Sequence, residues 1–140
     1  MLSLSERVWH IPQFLQPEQC QQLLDLALQH GFVPAHVRAA SGTRAMPMVR
    51  NNLRAQLPSP EWVSVLWQGL LAHDLPDIAG RQACGLPRDL RFYQYLPEQR
   101  FKMHKDGPWL EEGLRSELTL LVYLNEDFQG GATDFRGFQV

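Results

Sequence analysis

Residues 116–125, SELTLLVYLN, constrain the fold more than any other segment. The run is far shorter than the roughly 20 apolar residues of a membrane span. It is rich in Leu, Val, Thr and Tyr, the composition of a strand, and it lacks the clean alternation of a strand with one wet face. It reads as a long strand covered on both sides. The chain must then supply layers to cover it, and at 140 residues it has material for one core.

That material is divided along the sequence. Gln16-Pro17-Glu18 opens a helix with Pro near its first position and an acid in the first turn. Leu23, Leu24, Ala27 and Leu28 recur at helical spacing, and Gly31 closes the element. Ser59 begins a second helix ahead of Pro60 and Glu61, with Trp62, Val63, Leu66, Trp67, Leu70 and Leu71 as its apolar stripe. Residues 32–37 read as a short strand, Ser41-Gly42-Thr43 as a turn, and 49–54, VRNNLR, as polar and unassigned. Asn51 and Asn52, between Arg50 and Arg54, fit a polar loop better than a substrate face. A short helical turn is expected after Pro76-Asp77.

From residue 88 the signals are extended. LRFYQYL, 90–96, is aromatic and alternating, RFKMHKD, 100–106, alternates again, and GPWLEEGLR reads as a loop. A further strand begins at ATDF. Helices first and an antiparallel sheet second make an α+β chain. The expected organisation is a single domain, 1–140, with a helical support region over 1–87 and β-structure over 88–140.

Thirteen basic against fifteen acidic side chains give a formal charge of -2, so no nucleic-acid partner is expected. No membrane-spanning run and no leader-like N-terminus is present, and Cys20 and Cys84 form no disulfide framework, so the expected location is cytoplasmic. His30 near a helix end and His73 beside Asp74 need no metal to explain them.

His104-Lys105-Asp106 is the candidate centre. Residues i and i+2 of an extended strand share a face, so an imidazole and a carboxylate converge on one point that a metal ion can occupy. A mixed N and O pair with open positions suits iron(II). The spacing alone is weak, since five His and fifteen acids in 140 residues give about 0.5 chance occurrences of it.

Its surroundings are more specific. RFYQYLPEQRFKMHKDGPW is followed by RSELTLLVYLNEDFQGGATDF. Over residues 89–136 this order of motifs resembles the prolyl-4-hydroxylase-like branch of the iron(II)/2-oxoglutarate-dependent dioxygenases. The resemblance implies N-terminal helices packed on a partial double-stranded β-helix of jelly-roll or cupin-like form. It implies His104 and Asp106 as the first two metal ligands. It implies a cosubstrate pocket at Tyr95 and Tyr123, with Thr119 and Leu121 on the Tyr123 strand face. Iron(II), 2-oxoglutarate and ascorbate as accessory reductant are the implied cofactors, and a small-molecule or peptide C–H bond the implied substrate. The family's third ligand, a later His, and the basic anchor for 2-oxoglutarate have no counterpart here, because no His follows His104 and the one basic residue after Arg115, Arg136, sits in the wrong motif. The expectation is therefore a C-terminally truncated barrel. Two other readings stay open: a barrel fragment acting as a binding module, and a hydrolytic cupin-like metal site.

Overall fold

The computed structural model describes residues 1–39, 42–44 and 48–140. Part of the turn expected at Ser41-Gly42-Thr43 lies outside the described residues. The first helix, α1 (Pro17–His30), forms where its periodicity placed it. Its entry is closed by the Gln16 amide donating to Gln19 Oε1 at 2.9 Å. Gly31 ends it with φ 92°, a left-handed value that an L side chain resists, while its amide bonds the Ala27 carbonyl at 3.0 Å. Leu23 and Ala27 face inward.

Before α1, β1 (Leu2–Ser5) and β2 (Val8–His10) form a hairpin. After it come β3 (Val33–Pro34), β4 (Val37–Ala39), β5 (Gly42–Arg44) and β6 (Leu53–Pro58). The second helix, α2 (Pro60–Leu71), buries Leu66 and Leu70. Ser59 holds its N-cap position, but the hydroxyl makes no capping hydrogen bond; the Val63 amide reaches the Ser59 carbonyl at 2.9 Å instead. Beyond α2, Ile78 and Arg81 pair across a tight turn at Ala79-Gly80, where a helical turn was expected. Both turn residues have positive φ (51° and 75°), which a helix does not accept.

The β7 strand (Asp89–Gln94) matches the aromatic alternating segment. It pairs antiparallel with β6 along six residues, from Leu53↔Gln94 to Pro58↔Asp89, and β3 lies on the other side of β6. Alternation along β6 turns Ala55 and Leu57 to one face, and Phe92 stands opposite Ala55. These three with Leu23 and Ala27 are the core, packed round by Leu15, Leu26, Phe32, Trp62, Leu90 and Leu124. The expected support region therefore contributes the middle strand of the sheet, and residues 1–87 and 88–140 share one core.

Three extended expectations differ from the structure. Residues 100–106 form no strand beyond one bridge, Arg50↔Phe101. Residues 116–125 form none either. A strand exists only through a ladder to a neighbour, and among the described residues no ladder flanks 116–125; Leu124 reaches the core while Leu118 and Leu121 stay exposed. The segment read as a loop instead holds a hairpin, β8 (Leu110–Glu111) and β9 (Leu114–Arg115). Glu112 and Gly113 both take positive φ at its tip, as a type I′ turn requires. The last pair is β10 (Asp134–Phe135) with β11 (Phe138–Gln139). Among the described residues there are two helices and small antiparallel sheets, and no closed barrel.

Two outcomes follow from the β6–β7 pair. Phe92→Ala empties the core between α1 and the sheet and is expected to cost about 3–5 kcal/mol in a denaturant titration; a cost under about 1 kcal/mol contradicts its placement. The Asp89 carboxylate is held below its ordinary value of 3.8, first by Gln56, which donates to Oδ2 at 3.0 Å, with Arg88 adding to the effect and desolvation opposing it. Its stabilisation is present above that value and is lost as pH falls through the lower folded value. Gln56→Leu should flatten the loss of stability below about pH 4, read as Tm against pH.

Candidate metal centre

His104 and Asp106 come together, although not on a strand. A bend at Met103 turns the His104 ring back onto its own backbone, so that Nδ1 lies 2.8 Å from the Lys102 carbonyl oxygen. A carbonyl only accepts, so Nδ1 carries the proton in that contact. The other nitrogen, Nε2, faces Asp106 Oδ1 at 3.1 Å. In neutral imidazole with Nδ1 protonated, Nε2 has a lone pair and no hydrogen. Two electron pairs then aim at one small volume. A proton can fill it, making an imidazolium–carboxylate pair, and so can a metal cation. With bonds of about 2.1 Å to each atom, the cis edge of an octahedron measures about 3.0 Å, close to the observed separation.

Asp106 is itself oriented. The Thr119 hydroxyl donates to Oδ2 at 2.8 Å, which leaves Oδ1 for His104. Thr119 therefore stands behind the carboxylate, in the manner of the outer partners that aim metal ligands. The arrangement is not a nucleophile–base pair, because the hydroxyl bonds the carboxylate and not the imidazole. Among the described residues no third His, Cys, Asp or Glu joins the two. The side chains are 38% and 60% exposed, so the site is open to solvent.

The remaining expected residues are Tyr95, Tyr123 and Leu121. Burial pushes the Tyr95 phenol above its ordinary value, the charge of Arg50 opposes the rise, and Tyr93 and Tyr123 add to it. It is a neutral hydroxyl donor at physiological pH. The Tyr123 hydroxyl is hydrogen-bonded to Thr133 Oγ1. Leu121 is 53% exposed and makes no polar contribution. Thr119, Leu121 and Tyr123 thus do not act as one strand face; Thr119 serves Asp106 and Tyr123 serves Thr133. A concavity of about 350 Å³ beside α2, lined by Pro60, Val63, Trp67, Leu86 and Arg88 among others, includes none of these residues.

Two residues at the site escaped the sequence reading. Arg50 and Asn52, taken for a polar loop, are buried, Asn52 completely. Arg50 Nε donates to Asn52 Oδ1 at 2.8 Å, and Asn52 Nδ2 to the Leu53 carbonyl at 3.1 Å. The rings against which Arg50 packs, Tyr93 and Phe101, lie more than forty positions away in sequence, so no local pattern announces its burial. Comparisons with protein-family models, with curated proteins and with solved structures give no match. No helix among the described residues is long and apolar enough to cross a membrane.

Removing the hydroxyl behind Asp106 is expected to matter more for cation binding than for folding. Thr119→Val should weaken cobalt(II) binding by about tenfold to a hundredfold with little change in Tm; an unchanged cobalt(II) titration would show that Thr119 does not orient the carboxylate.

Proposed function

We propose that the chain belongs to an iron(II)- and 2-oxoglutarate-dependent oxygenase lineage that hydroxylates a C–H bond of a peptide or small molecule. The observation that carries this reading is the convergence of Nε2 and Oδ1 at 3.1 Å with Nδ1 already committed to a carbonyl. The motif order over residues 89–136 adds to it. His104 and Asp106 are the residues that would hold the metal, with Thr119 aiming the carboxylate. Bound iron(II) with 2-oxoglutarate supplies the oxidising power for an unactivated C–H bond. The protein's task is to present two ligands on one side and leave the remaining positions to cosubstrate and oxygen. Tyr95 and Tyr123 are the hydroxyl donors assigned to the cosubstrate. A cytoplasmic location, a partial β-helix as the wider fold and ascorbate as reductant belong to the same proposal.

Two protein ligands hold a divalent ion weakly, so low turnover is expected of this chain. With iron(II), ascorbate and 2-oxoglutarate, succinate should form slowly and its formation should be lost in His104→Ala and in Asp106→Ala. Succinate formed equally well by His104→Ala would overturn the assignment.

A binding module is the second reading. The exposed apolar side chains of residues 116–125, with Leu118 41%, Leu121 53% and Tyr123 48% exposed, favour it. A monodisperse species in size-exclusion chromatography, with a Tm indifferent to iron(II) and 2-oxoglutarate, would replace the oxygenase reading with this one.

A further inference from the structure

Among the described residues Arg50 is the one buried charged side chain, and the metal reading gives it no task. Its burial is incompletely compensated. Nε has Asn52, but Nη2 is sealed from solvent with no hydrogen-bond partner. A buried unpaired donor costs stability, so something else must favour a guanidinium here over an apolar side chain.

What surrounds it is a pair of rings. The Arg50 Cζ lies 4.4 Å from the centre of the Tyr93 ring and 4.2 Å from that of Phe101. Both are within the range of favourable cation–π contact. Phe101 in turn stacks on His104, with centroids 3.7 Å apart and planes 20° from parallel. The contacts therefore run Tyr93, Arg50, Phe101, His104, with the imidazole at one end.

The backbone reinforces the stack. Arg50 and Phe101 form a bridge. On either side of Phe101, the Asn51 amide bonds the Arg100 carbonyl at 3.1 Å and the Lys102 amide bonds the Val49 carbonyl at 3.0 Å. Asn51 Oδ1 also accepts from the Arg100 amide at 2.7 Å. Lys102 is the residue whose carbonyl takes His104 Nδ1. The segment that carries Arg50 thus pins both contacts that orient the imidazole, its face through Phe101 and its edge through Lys102.

We propose that Arg50 is a positioning residue: clamped between Tyr93 and Phe101, it fixes the plane of the His104 ring and so aims Nε2 at Asp106. The inference rests on the reading of His104 as the reactive group of the site. Free rotation of an imidazole in a solvent-open site would spread Nε2 over many directions, and the stack removes that freedom before any cation arrives.

The test begins with the metal-free wild-type chain. A long-range 1H–15N spectrum should show His104 protonated at Nδ1 as a single tautomer, with ring CH protons shifted upfield by Phe101. Mixed tautomers or ring protons at solvent-exposed positions would overturn the proposal without any variant. Arg50→Met and Phe101→Leu should then lose the single tautomer and the upfield shift, and bind cobalt(II) about tenfold more weakly. Arg50→Lys, which keeps charge and loses the plate, should fall between. Arg91→Met is the control: its guanidinium lies 4.3 Å over Trp109, in a different cation–π pair, and the His104 signals should not move. Folded Arg50→Met and Phe101→Leu chains with wild-type His104 signals overturn the proposal. If Arg50→Met does not fold, Phe101→Leu and the wild-type spectrum decide. Because the spectrum needs neither metal nor turnover, an intact His104 signature beside absent succinate formation sinks the oxygenase reading and upholds the role of Arg50.

Discussion

The pairing of β6 with β7 is the contact from which the rest is built. It places Ala55 and Phe92 opposite one another against Leu23 and Ala27 of α1, and so makes the core. Past a turn at residues 96–99 the same two segments meet again in a different register, at the Arg50↔Phe101 bridge. Residues 49–51, just before β6, meet residues 100–102, which follow β7 after the turn at residues 96–99. That second contact brings Arg50 to Phe101 and anchors Lys102. The core and the candidate metal centre thus depend on two neighbouring contacts between the same two segments, each with its own register.

Polar groups at the site are arranged in a chain with a consistent direction. Thr119 donates to Asp106 Oδ2, Lys102 accepts from His104 Nδ1, and Oδ1 and Nε2 are left facing each other. Each outer contact removes one alternative for an inner atom. What remains is a position that attracts positive charge, made of the two residues that the His-x-Asp spacing had singled out. Exposure tempers its strength: charges in water-rich surroundings interact weakly, of order 1 kcal/mol at 4 Å. A cation at this position would depend on further oxygen donors, and a bidentate cosubstrate is one source of them.

Both helices were legible in the sequence because periodicity, Pro and Gly are local signals, and β7 because its aromatic alternation survives in any fold that covers one face. His-x-Asp was legible as a pair, yet for a reason the structure does not use. The two side chains meet because of a bend at Met103 and not because of strand alternation. Residues 116–125 show the limit from the other side: composition states a preference for β-structure, but a ladder needs a neighbour, which composition does not name. The β8–β9 hairpin was missed because Glu112-Gly113 lacks the Asn-Gly or Asp-Gly that marks such turns. The β6 strand, Arg50 and Asn52 were missed because a polar stretch VRNNLR has the look of a loop until its distant partners are known.

Arg50 shows why that last omission has functional weight. A sequence reader discounts an arginine flanked by asparagines, since solvated charge is the common case. Here two rings take the place of water, their centres 4.4 Å (Tyr93) and 4.2 Å (Phe101) from the guanidinium carbon. An aliphatic side chain could fill the volume but would not present a rigid plane to both rings, and lysine would present a point charge without a plane. The unpaired Nη2 is then a cost tolerated for planarity. On that view the facing pair at residues 104 and 106 is oriented by a residue more than fifty positions earlier, in the segment that, as sequence, looked least informative.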